Sequence, residues 1–184
     1  MDCRKKQKSS DIIEEGLRIS DMQTKEIIFN PIGYVRSPHT DPKLTPIQPC
    51  YSDEAEGSIE ILNEYEEGLA DIEGFSHIIV IYYFNRARPT MLKVKPFLED
   101  KEHGVFATRH PSRPNPIGIS FLRLLKRDGP MLHVSGVDML DGTPVLDIKP
   151  YVKRFDFVEA YANGWHGSVL EETAQKLGRR NVQK

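Results

Sequence analysis

The sequence has few cysteines and no long apolar run, and both features narrow the class of protein. Only Cys3 and Cys50 occur among 184 residues, and their separation matches neither a metal site nor a disulfide framework. Unpaired thiols are typical of a reducing compartment, so we expect a cytoplasmic protein. No apolar run approaches the length of a membrane span, and the basic N-terminus lacks the apolar segment of a signal peptide. We therefore expect no membrane partner.

The signatures of common enzyme classes are also missing. The chain has no GxGxxG fingerprint, no P-loop and no GxSxG elbow, which disfavours a Rossmann-type enzyme or a serine hydrolase. Its histidines do not fall at metal-ligand spacings, so no metal site is predicted. The formal net charge of −2 argues against a uniformly basic nucleic-acid-binding protein, although a local basic patch remains compatible with it.

From residue 27 onward the sequence is typical of short strands. Isoleucine alternates with polar residues over 58–62, as in a half-buried strand, and 77–84 is apolar almost throughout. Asp128-Gly129 and Asp141-Gly142 are turn signals. Many short strands with few helices predict an antiparallel barrel or sandwich. The predicted strands are 27–35, 58–62, 77–84, 104–108, 118–126, 131–140 and 144–148.

The length predicts one domain with a full core, and the polar ends predict extensions at both termini. Residues 11–24 carry only a weak helical stripe. A better helix is predicted over 168–178, with Ser168 as its cap and Gly178 at its end. The predicted division is an N-terminal extension over 1–26, a barrel domain over 27–155 and a C-terminal extension over 156–184.

The most informative stretch is GVFATRHPSRPNPIGIS, residues 104–120. Its prolines fix φ and restrict the residues before them, so the backbone is stiff before any partner binds. Arg109, Arg113 and Asn115 on such a loop suit a polar, anionic ligand, because the arginine fork matches carboxylate or phosphate. Gly118 would let a ligand approach the backbone closely. The alternative is a structural loop whose arginines bond to backbone carbonyls.

A second polar cluster lies in VDMLDGTPVLDIKPY, residues 137–151. A hairpin turn in which Asp141 caps its own backbone is one interpretation. Asp138 beside a Gly-Thr-Pro turn would also suit ribose hydroxyls or a cation. The cation is the less favoured ligand, because no spacing resembles a calcium loop.

Basic residues recur throughout this weakly acidic chain. A solvated basic face is the default interpretation, and a phosphate-binding surface is the alternative if the residues share one face. The set comprises Arg86, Arg88, Lys93, Lys95, Arg109, Arg113, Arg123, Lys126, Arg127, Lys149, Lys153 and Arg154.

The order of these motifs resembles the TsaA-like family, the TrmO-type tRNA methyltransferases. IGYVRSP, TPIQP and GFSHI precede GVFATR-x-P-x-RPNPIG and DGTPVLDIKPY, over about 27–152. The resemblance implies a mostly β fold, a small antiparallel β-barrel with a few peripheral helices, that binds S-adenosyl-L-methionine. It also implies a homodimer with active sites near the subunit interface. The implied reaction methylates N6 of threonylcarbamoyl-adenosine beside the anticodon, so the implied partner is a tRNA anticodon stem-loop.

By motif, the resemblance places cofactor contacts in several separate segments. Two positions depart from the family pattern, which often has Arg where this chain has Ile47 and His where it has Asn85. A backbone contact would survive either change, whereas a contact through the family's side chain would not. The implied cofactor residues are Ile47, Gln48, Pro49, Asn85, Arg86, Arg109, Ile119, Leu140, Asp141, Gly142, Thr143 and Pro144.

Methyl transfer from a sulfonium is a displacement in which the protein mainly positions the reactants. An acceptor near N6 would orient the departing proton. Asp138 and Asp141 are the candidates for it, and a backbone carbonyl would also serve. Stacking on an unpaired base is the usual way to recognise an RNA loop. The residues predicted to contact RNA are Arg113, Asn115, Lys149 and Tyr151.

Two alternatives stay open at the level of sequence. One is an RNA-binding barrel without catalysis, since small antiparallel barrels often bind oligonucleotides. The other is a methyltransferase that acts on a different acceptor, because a fold does not determine a function.

Overall fold

The computed structural model describes residues 26–52 and 54–180, and their strands form a closed antiparallel barrel. The barrel strands are β1 (Gly33–Arg36), β2 (Glu56–Ile61), β3 (His77–Tyr83), β6 (Ile117–Asp128), β7 (Met131–Ser135) and β8 (Pro144–Pro150), and a separate pair consists of β4 (Lys93–Val94) and β5 (His103–Gly104). Around the barrel the order is β1, β2, β7, β6, β3, β8, and β8 pairs back to β1. The predicted fold class, a mostly β antiparallel barrel, is confirmed.

Strict alternation along β6 shows how the sequence builds this barrel. Gly118, Ser120, Leu122 and Leu124 are buried, whereas the residues between them are exposed. Side chains of period two place one apolar face inside the barrel, where burial stabilises the fold. The fully buried core residues are Val35, Ile59, Ile78, Val80, Leu122, Leu132, Val134, Val137 and Val145.

Both predicted Asp-Gly turns are present. Gly129, with φ of 56°, joins β6 to β7, and Gly142, with φ of 76°, leads into β8. Glycine suits both positions because a positive φ carries no side-chain penalty there.

Three predicted strands differ from the observed ones. Residues Val105–Ala107 form a 3₁₀ helix, in which the Thr108 amide and hydroxyl both bond to the Val105 carbonyl. The strand predicted over 131–140 ends at Ser135, because Gly136 turns the chain with φ of 88°. The strand predicted over 27–35 is limited to β1, and residues 27–29 before it are exposed.

Helix α1 (Lys153–Asp156) spans the predicted boundary at residue 155, and the C-terminal extension contains a 3₁₀ helix (Gly164–Ser168) and α2 (Glu171–Arg179). The start predicted at Ser168 is wrong, because Ser168 ends the 3₁₀ helix and its hydroxyl donates to the Trp165 carbonyl at 2.8 Å. Gly178 lies inside α2, and Arg180 adopts the left-handed C-cap with φ of 54°. The weak helix predicted over 11–24 lies outside the described residues. Among the described residues, no helix has the length and apolar character needed to cross a membrane.

Gly118 packs directly against the Tyr82 ring. A Cβ atom built on Gly118 would lie closer than 3.0 Å to three atoms of that side chain. The space beside this glycine is therefore filled by a core aromatic ring rather than left to a ligand.

We expect Gly118→Ala to lower the free energy of unfolding by about 1–3 kcal/mol, because the added methyl overpacks the Tyr82 ring. Urea unfolding followed by circular dichroism measures the change. Gly68→Ala is the matched control, since a Cβ there meets nothing within 4 Å. Equal unfolding midpoints for the two variants would contradict the packing argument.

Candidate functional site

One open end of the barrel, here termed the site end, collects most of the predicted cofactor residues. The end of β3 pairs there with the starts of β6 and β8, through Tyr82 with Gly118 and Val145. The turn before β8 also lies there, because the Val35 amide bonds to the Thr143 carbonyl at 2.9 Å. Segments far apart in the sequence therefore meet at one mouth of the barrel.

Gln48 and Arg109, both predicted cofactor residues, are in direct contact. Arg109 Nη1 donates to Gln48 Oε1, and Gln48 Nε2 donates to the Ile47 carbonyl at 2.6 Å. Pro49 begins the short 3₁₀ helix Pro49–Tyr51, which stiffens this loop. A guanidinium carries five donors, so exposed Arg109 retains donors for an incoming anion.

The predicted turn Leu140–Pro144 is rigid and is held by Asp141. The Thr143 hydroxyl donates to the Leu140 carbonyl at 2.7 Å. Asp141 Oδ1 accepts the Ser37 amide at 3.1 Å, and its carbonyl accepts Arg86 Nη2 at 3.2 Å. The Asp141 carboxylate therefore orders the backbone of the distant Ser37 rather than its own backbone, which the structural interpretation predicted.

Asp138 has a different environment, deep in the site end. It is 8% exposed, and its Oδ1 accepts the Ser120 hydroxyl at 2.7 Å. The Ser120 hydroxyl also lies 3.3 Å from the Tyr82 hydroxyl. Burial raises the pKa of Asp138 to about 7, although the Ser120 bond and the Arg109 charge oppose the rise. Asp138 therefore holds or releases a proton near neutral pH.

The C-terminal extension packs on the two loops that meet at Arg109. On one side, the Ile47 amide bonds to the Gly178 carbonyl at 3.0 Å, and a Cβ on Gly178 would clash with the Tyr51 ring. On the other side, Trp165 Nε1 donates to the Ala107 carbonyl at 2.8 Å. The extension thus fixes the loops that carry Gln48 and Arg109.

Two of the predicted site residues lie apart from these contacts. Strand alternation turns Ile119 to the outside of the barrel, where it is 42% exposed, while Ser120 points inward. Asn85 follows β3 and is exposed, and its amide bonds to the Tyr83 carbonyl at 2.9 Å.

Arg113 and Asn115, predicted to contact RNA, differ in accessibility. Arg113 Nη1 donates to the Thr108 carbonyl at 2.7 Å and to the Val105 carbonyl at 3.2 Å. This geometry matches the structural alternative, in which an arginine of the loop bonds to backbone carbonyls. Asn115 is exposed, and its carbonyl accepts the Ile117 amide at 2.8 Å.

Lys149 and Tyr151 lie toward the opposite end of the barrel. Lys149 pairs with Ile79, and the Tyr151 amide bonds to the His77 carbonyl at the start of β3. Lys149 forms an ion pair with Asp147 at 2.7 Å. At about 3.3 Å per strand residue, the part of β3 from Ile79 to Tyr82 separates Lys149 from the site end, and nearly the whole strand separates Tyr151 from it.

Ion pairs neutralise part of the predicted basic surface. Several of its members pair with acidic side chains, which reduces their net field. These pairs are Lys95 with Asp100, Arg123 with Glu54, Arg127 with Glu66 and Glu73, and Lys149 with Asp147.

The sequence interpretation missed Ser120 and Tyr82 as neighbours of Asp138. One signal for Ser120 was available, because it is a polar residue at an inward position of an otherwise apolar alternation. No local pattern singles out Tyr82 within its apolar strand. Among the described residues, no group of three or more His, Cys, Asp or Glu side chains is arranged to hold a metal ion.

Comparison with known proteins identifies relatives of this barrel. The family model of the tRNA-methyltransferase O N-terminal domain matches residues 34–157. A probable S-adenosyl-L-methionine-binding protein of Pyrococcus abyssi is 52% identical over 151 residues, covering 82% of this chain and 80% of that protein. The human tRNA (adenine(37)-N6)-methyltransferase is 36% identical over 142 residues, which are 73% of this chain but 32% of the human protein.

A solved structure gives the same result for the fold. The crystal structure of TrmO from Pseudomonas aeruginosa superposes with a TM-score of 0.67 at 37% identity. The match covers 80% of this chain and 65% of that chain. The present chain therefore spans about a third of the human protein and just under two thirds of the bacterial one.

The raised pKa of Asp138 predicts a pH-dependent stability with a definite sign. The pKa of Asp138 is about 7 in the folded protein, above its ordinary value of 3.8. As the pH rises, the unfolded chain therefore releases this proton at a lower pH than the folded protein does. The free energy of unfolding should fall as pH rises from about 4 to 7, by an amount on the order of a few kcal/mol.

Asp138→Asn should remove this fall, because the amide does not titrate. Urea unfolding across this pH range measures the slope, and Asp128→Asn, at an exposed aspartate, is the control. A slope that persists unchanged in Asp138→Asn would show that another group causes it.

Proposed function

The chain belongs to the tRNA-methyltransferase O family, and from this premise we propose that it is an S-adenosyl-L-methionine-dependent methyltransferase acting on N6 of an adenine in tRNA. We further propose that the adenine is the threonylcarbamoyl-adenosine beside the anticodon. The observation that carries the proposal is the meeting of Gln48, Arg109 and buried Asp138 at the site end. It combines an exposed cation with a group that exchanges a proton near neutral pH.

The donor set at the site end fits S-adenosyl-L-methionine. Exposed Arg109 suits the methionyl carboxylate, because a guanidinium pairs with carboxylate through a planar fork. The rigid Leu140–Pro144 turn, held by Asp141 and Arg86, offers ordered backbone groups for the polar parts of the nucleoside. When bound, the cofactor supplies a methyl group already activated on a sulfonium. The remaining proposed contacts are Ile47, Gln48, Pro49, Asn85 and Ile119.

The chain's own residues would chiefly orient the reactants and accept the proton that leaves N6. Gln48 holds the Arg109 guanidinium in place, and the Ile47–Gly178 bond holds the Gln48 loop. We assign Asp138 rather than Asp141 as the candidate group for the N6 proton. The Asp141 carboxylate is engaged with the Ser37 amide, whereas Asp138 has its pKa at about 7.

We assign the anticodon stem-loop as the RNA that this surface binds. Exposed Asn115, on the same stiff loop as Arg109, is the proposed contact, and Arg113 supports it by shaping that loop. Lys149 and Tyr151 would contact RNA only if it extends along the barrel or reaches them from a second subunit. A tRNA substrate and the unpaired thiol of Cys50 support a cytoplasmic location.

We propose a homodimer formed through the outer face of β3 and β6. Tyr83, Ile117, Ile119, Phe121 and Leu125 are each between 37% and 42% exposed. Tyr83 pairs with Ile117, so the face is continuous across the two strands. Monomers rarely expose a continuous apolar patch of this kind, and a second copy would cover it by two-fold symmetry. Since Ile119 lies on this face, the interface would border the cofactor site.

We also propose a domain division, which the hydrogen bonds of the C-terminal extension support. Residues 27–155 would form the catalytic barrel, and 156–184 an extension that buttresses the loops at the site end. The Trp165–Ala107 and Ile47–Gly178 hydrogen bonds support this arrangement.

The purified protein should convert threonylcarbamoyl-adenosine in tRNA to its N6-methyl form, detected by mass spectrometry of nucleosides. Arg109→Ala should lower kcat/KM by roughly 10- to 100-fold, as expected for one lost charge-assisted hydrogen bond. Lys101→Ala, which removes the same charge at an exposed loop position, is the control.

Wild-type turnover by correctly folded Arg109→Ala would contradict the assigned role of Arg109. Calorimetric titration with S-adenosyl-L-methionine separates the alternatives. An RNA-binding module would bind tRNA but not the cofactor, and an enzyme for another acceptor would bind the cofactor but leave tRNA unmethylated.

The apolar face predicts that Phe121→Glu converts the dimer to monomers, because a buried unpaired carboxylate is costly. Sedimentation velocity measures the mass, and Leu62→Glu, at a residue 37% exposed outside this face, should leave it unchanged. A dimer that survives Phe121→Glu would place the interface elsewhere.

A further inference from the structure

A column of three aromatic rings stands beside Arg109. The Trp165 ring stacks with two histidine rings. Its centroid is 5.0 Å from that of His103, with planes 18° apart, and 3.8 Å from that of His166, with planes 27° apart. Trp165 Nε1 donates to the Ala107 carbonyl at 2.8 Å, two residues before Arg109. The column is thus tied to the loop that carries the proposed cofactor contact.

Hydrogen bonds fix this column. His103 Nε2 lies 2.8 Å from Glu99 Oε2, and the Ser168 hydroxyl donates to the Trp165 carbonyl at 2.8 Å. A surface that is ordered beforehand loses little entropy when a ligand binds. The column is therefore suited to binding rather than only to filling space.

His166 is the outer ring of the column. It is exposed, and Trp165 covers one of its faces, so the face it offers to solvent is the other one. Partial burial and the nearby Arg109 charge lower the pKa of His166. The imidazole is therefore neutral at neutral pH, and it presents a flat π surface beside a cation.

We propose that His166, backed by Trp165 and His103, is the stacking platform for an unpaired base of the tRNA anticodon loop. This inference rests on the proposed function, because it identifies where that RNA is recognised. Proteins read RNA loops by stacking splayed bases on aromatic rings. The platform lies in the C-terminal extension, and its position beside Arg109 would bring a stacked base close to the proposed cofactor site.

A cationic flank supports an RNA ligand for this platform. His110 follows Arg109, and burial together with the charges of Arg180, Arg88 and Arg113 lowers its pKa. Arg88 and Arg180, from two other segments, therefore approach the loop that carries His110 and Arg113. Such a cluster attracts phosphates independently of sequence, while the platform would engage a base.

Trp165 is the one tryptophan in the sequence, so its fluorescence reports on this column alone. Titrating the full-length protein with an anticodon stem-loop RNA should quench this fluorescence. A fully base-paired RNA duplex, which offers no unpaired base, should quench it less. His166→Ala should weaken stem-loop affinity and raise the KM for tRNA roughly 5- to 100-fold, the loss expected for one base stack. The kcat at saturating tRNA and the Kd for S-adenosyl-L-methionine should stay within about twofold, below the effect of one lost contact.

His166→Phe should restore most of the affinity, because it keeps a flat ring, whereas a hydrogen-bonding role would not be rescued. His133→Ala on β7 is the control. Wild-type affinity in His166→Ala, or failure of His166→Phe to restore binding, would overturn the platform while tRNA methylation by the wild type persists. Quenching by S-adenosyl-L-methionine alone, with weaker cofactor binding in His166→Ala, would assign the ring to the cofactor instead. Absence of wild-type methylation and tRNA binding would overturn the proposed function itself.

Discussion

Closure of the barrel between β1 and β8 is the interaction on which the site depends. The pairs Gly33–Val145 and Tyr34–Pro144 join the first strand to the last. On its other side β1 pairs with β2, and Gly33 allows that close approach because a Cβ there would overlap the Glu60 carbonyl. Once the strands are joined, the turn before β8 lies over the end of β1. Asp141 can then accept the Ser37 amide, and the proposed nucleoside contacts become ordered without any ligand. A partly open sheet with the same strands would leave this turn without its partner.

The site end combines two opposite electrostatic environments within one mouth. Exposed Arg109 keeps its charge in contact with solvent and with Gln48. Asp138 is buried beside Ser120, so its charged form is disfavoured and its pKa rises to about 7. A buried carboxyl of this kind opposes stability at neutral pH, and such groups are concentrated at functional sites. The contrast supports a division of labour between anion binding and proton exchange.

The C-terminal extension supports two loops of the barrel and presents an aromatic surface. Through Gly178 and Trp165 it holds the Gln48 loop and the Arg109 loop from two sides. The same Trp165 stacks on His103 and His166. Support of the Gln48 and Arg109 loops and presentation of an aromatic surface are therefore properties of one segment. Differences in this extension between relatives would therefore be expected to alter both the proposed cofactor loops and RNA recognition.

Strand alternation, the Asp-Gly turns and the proline-stiffened loop are local patterns, so the sequence by itself determined the barrel class and indicated the segments of the candidate site. It did not determine the protonation of Asp138, because that depends on burial beside Ser120 and Tyr82 on other strands. The sequence also did not determine that Arg113 donates to backbone carbonyls and Arg109 to Gln48, because these partners come from the folded arrangement of the loops. Only the tertiary structure decides which partner each guanidinium reaches, and it places Lys149 and Tyr151 away from the site end. Periodicity is encoded by neighbours in the chain, whereas burial and partner choice arise only when distant strands meet.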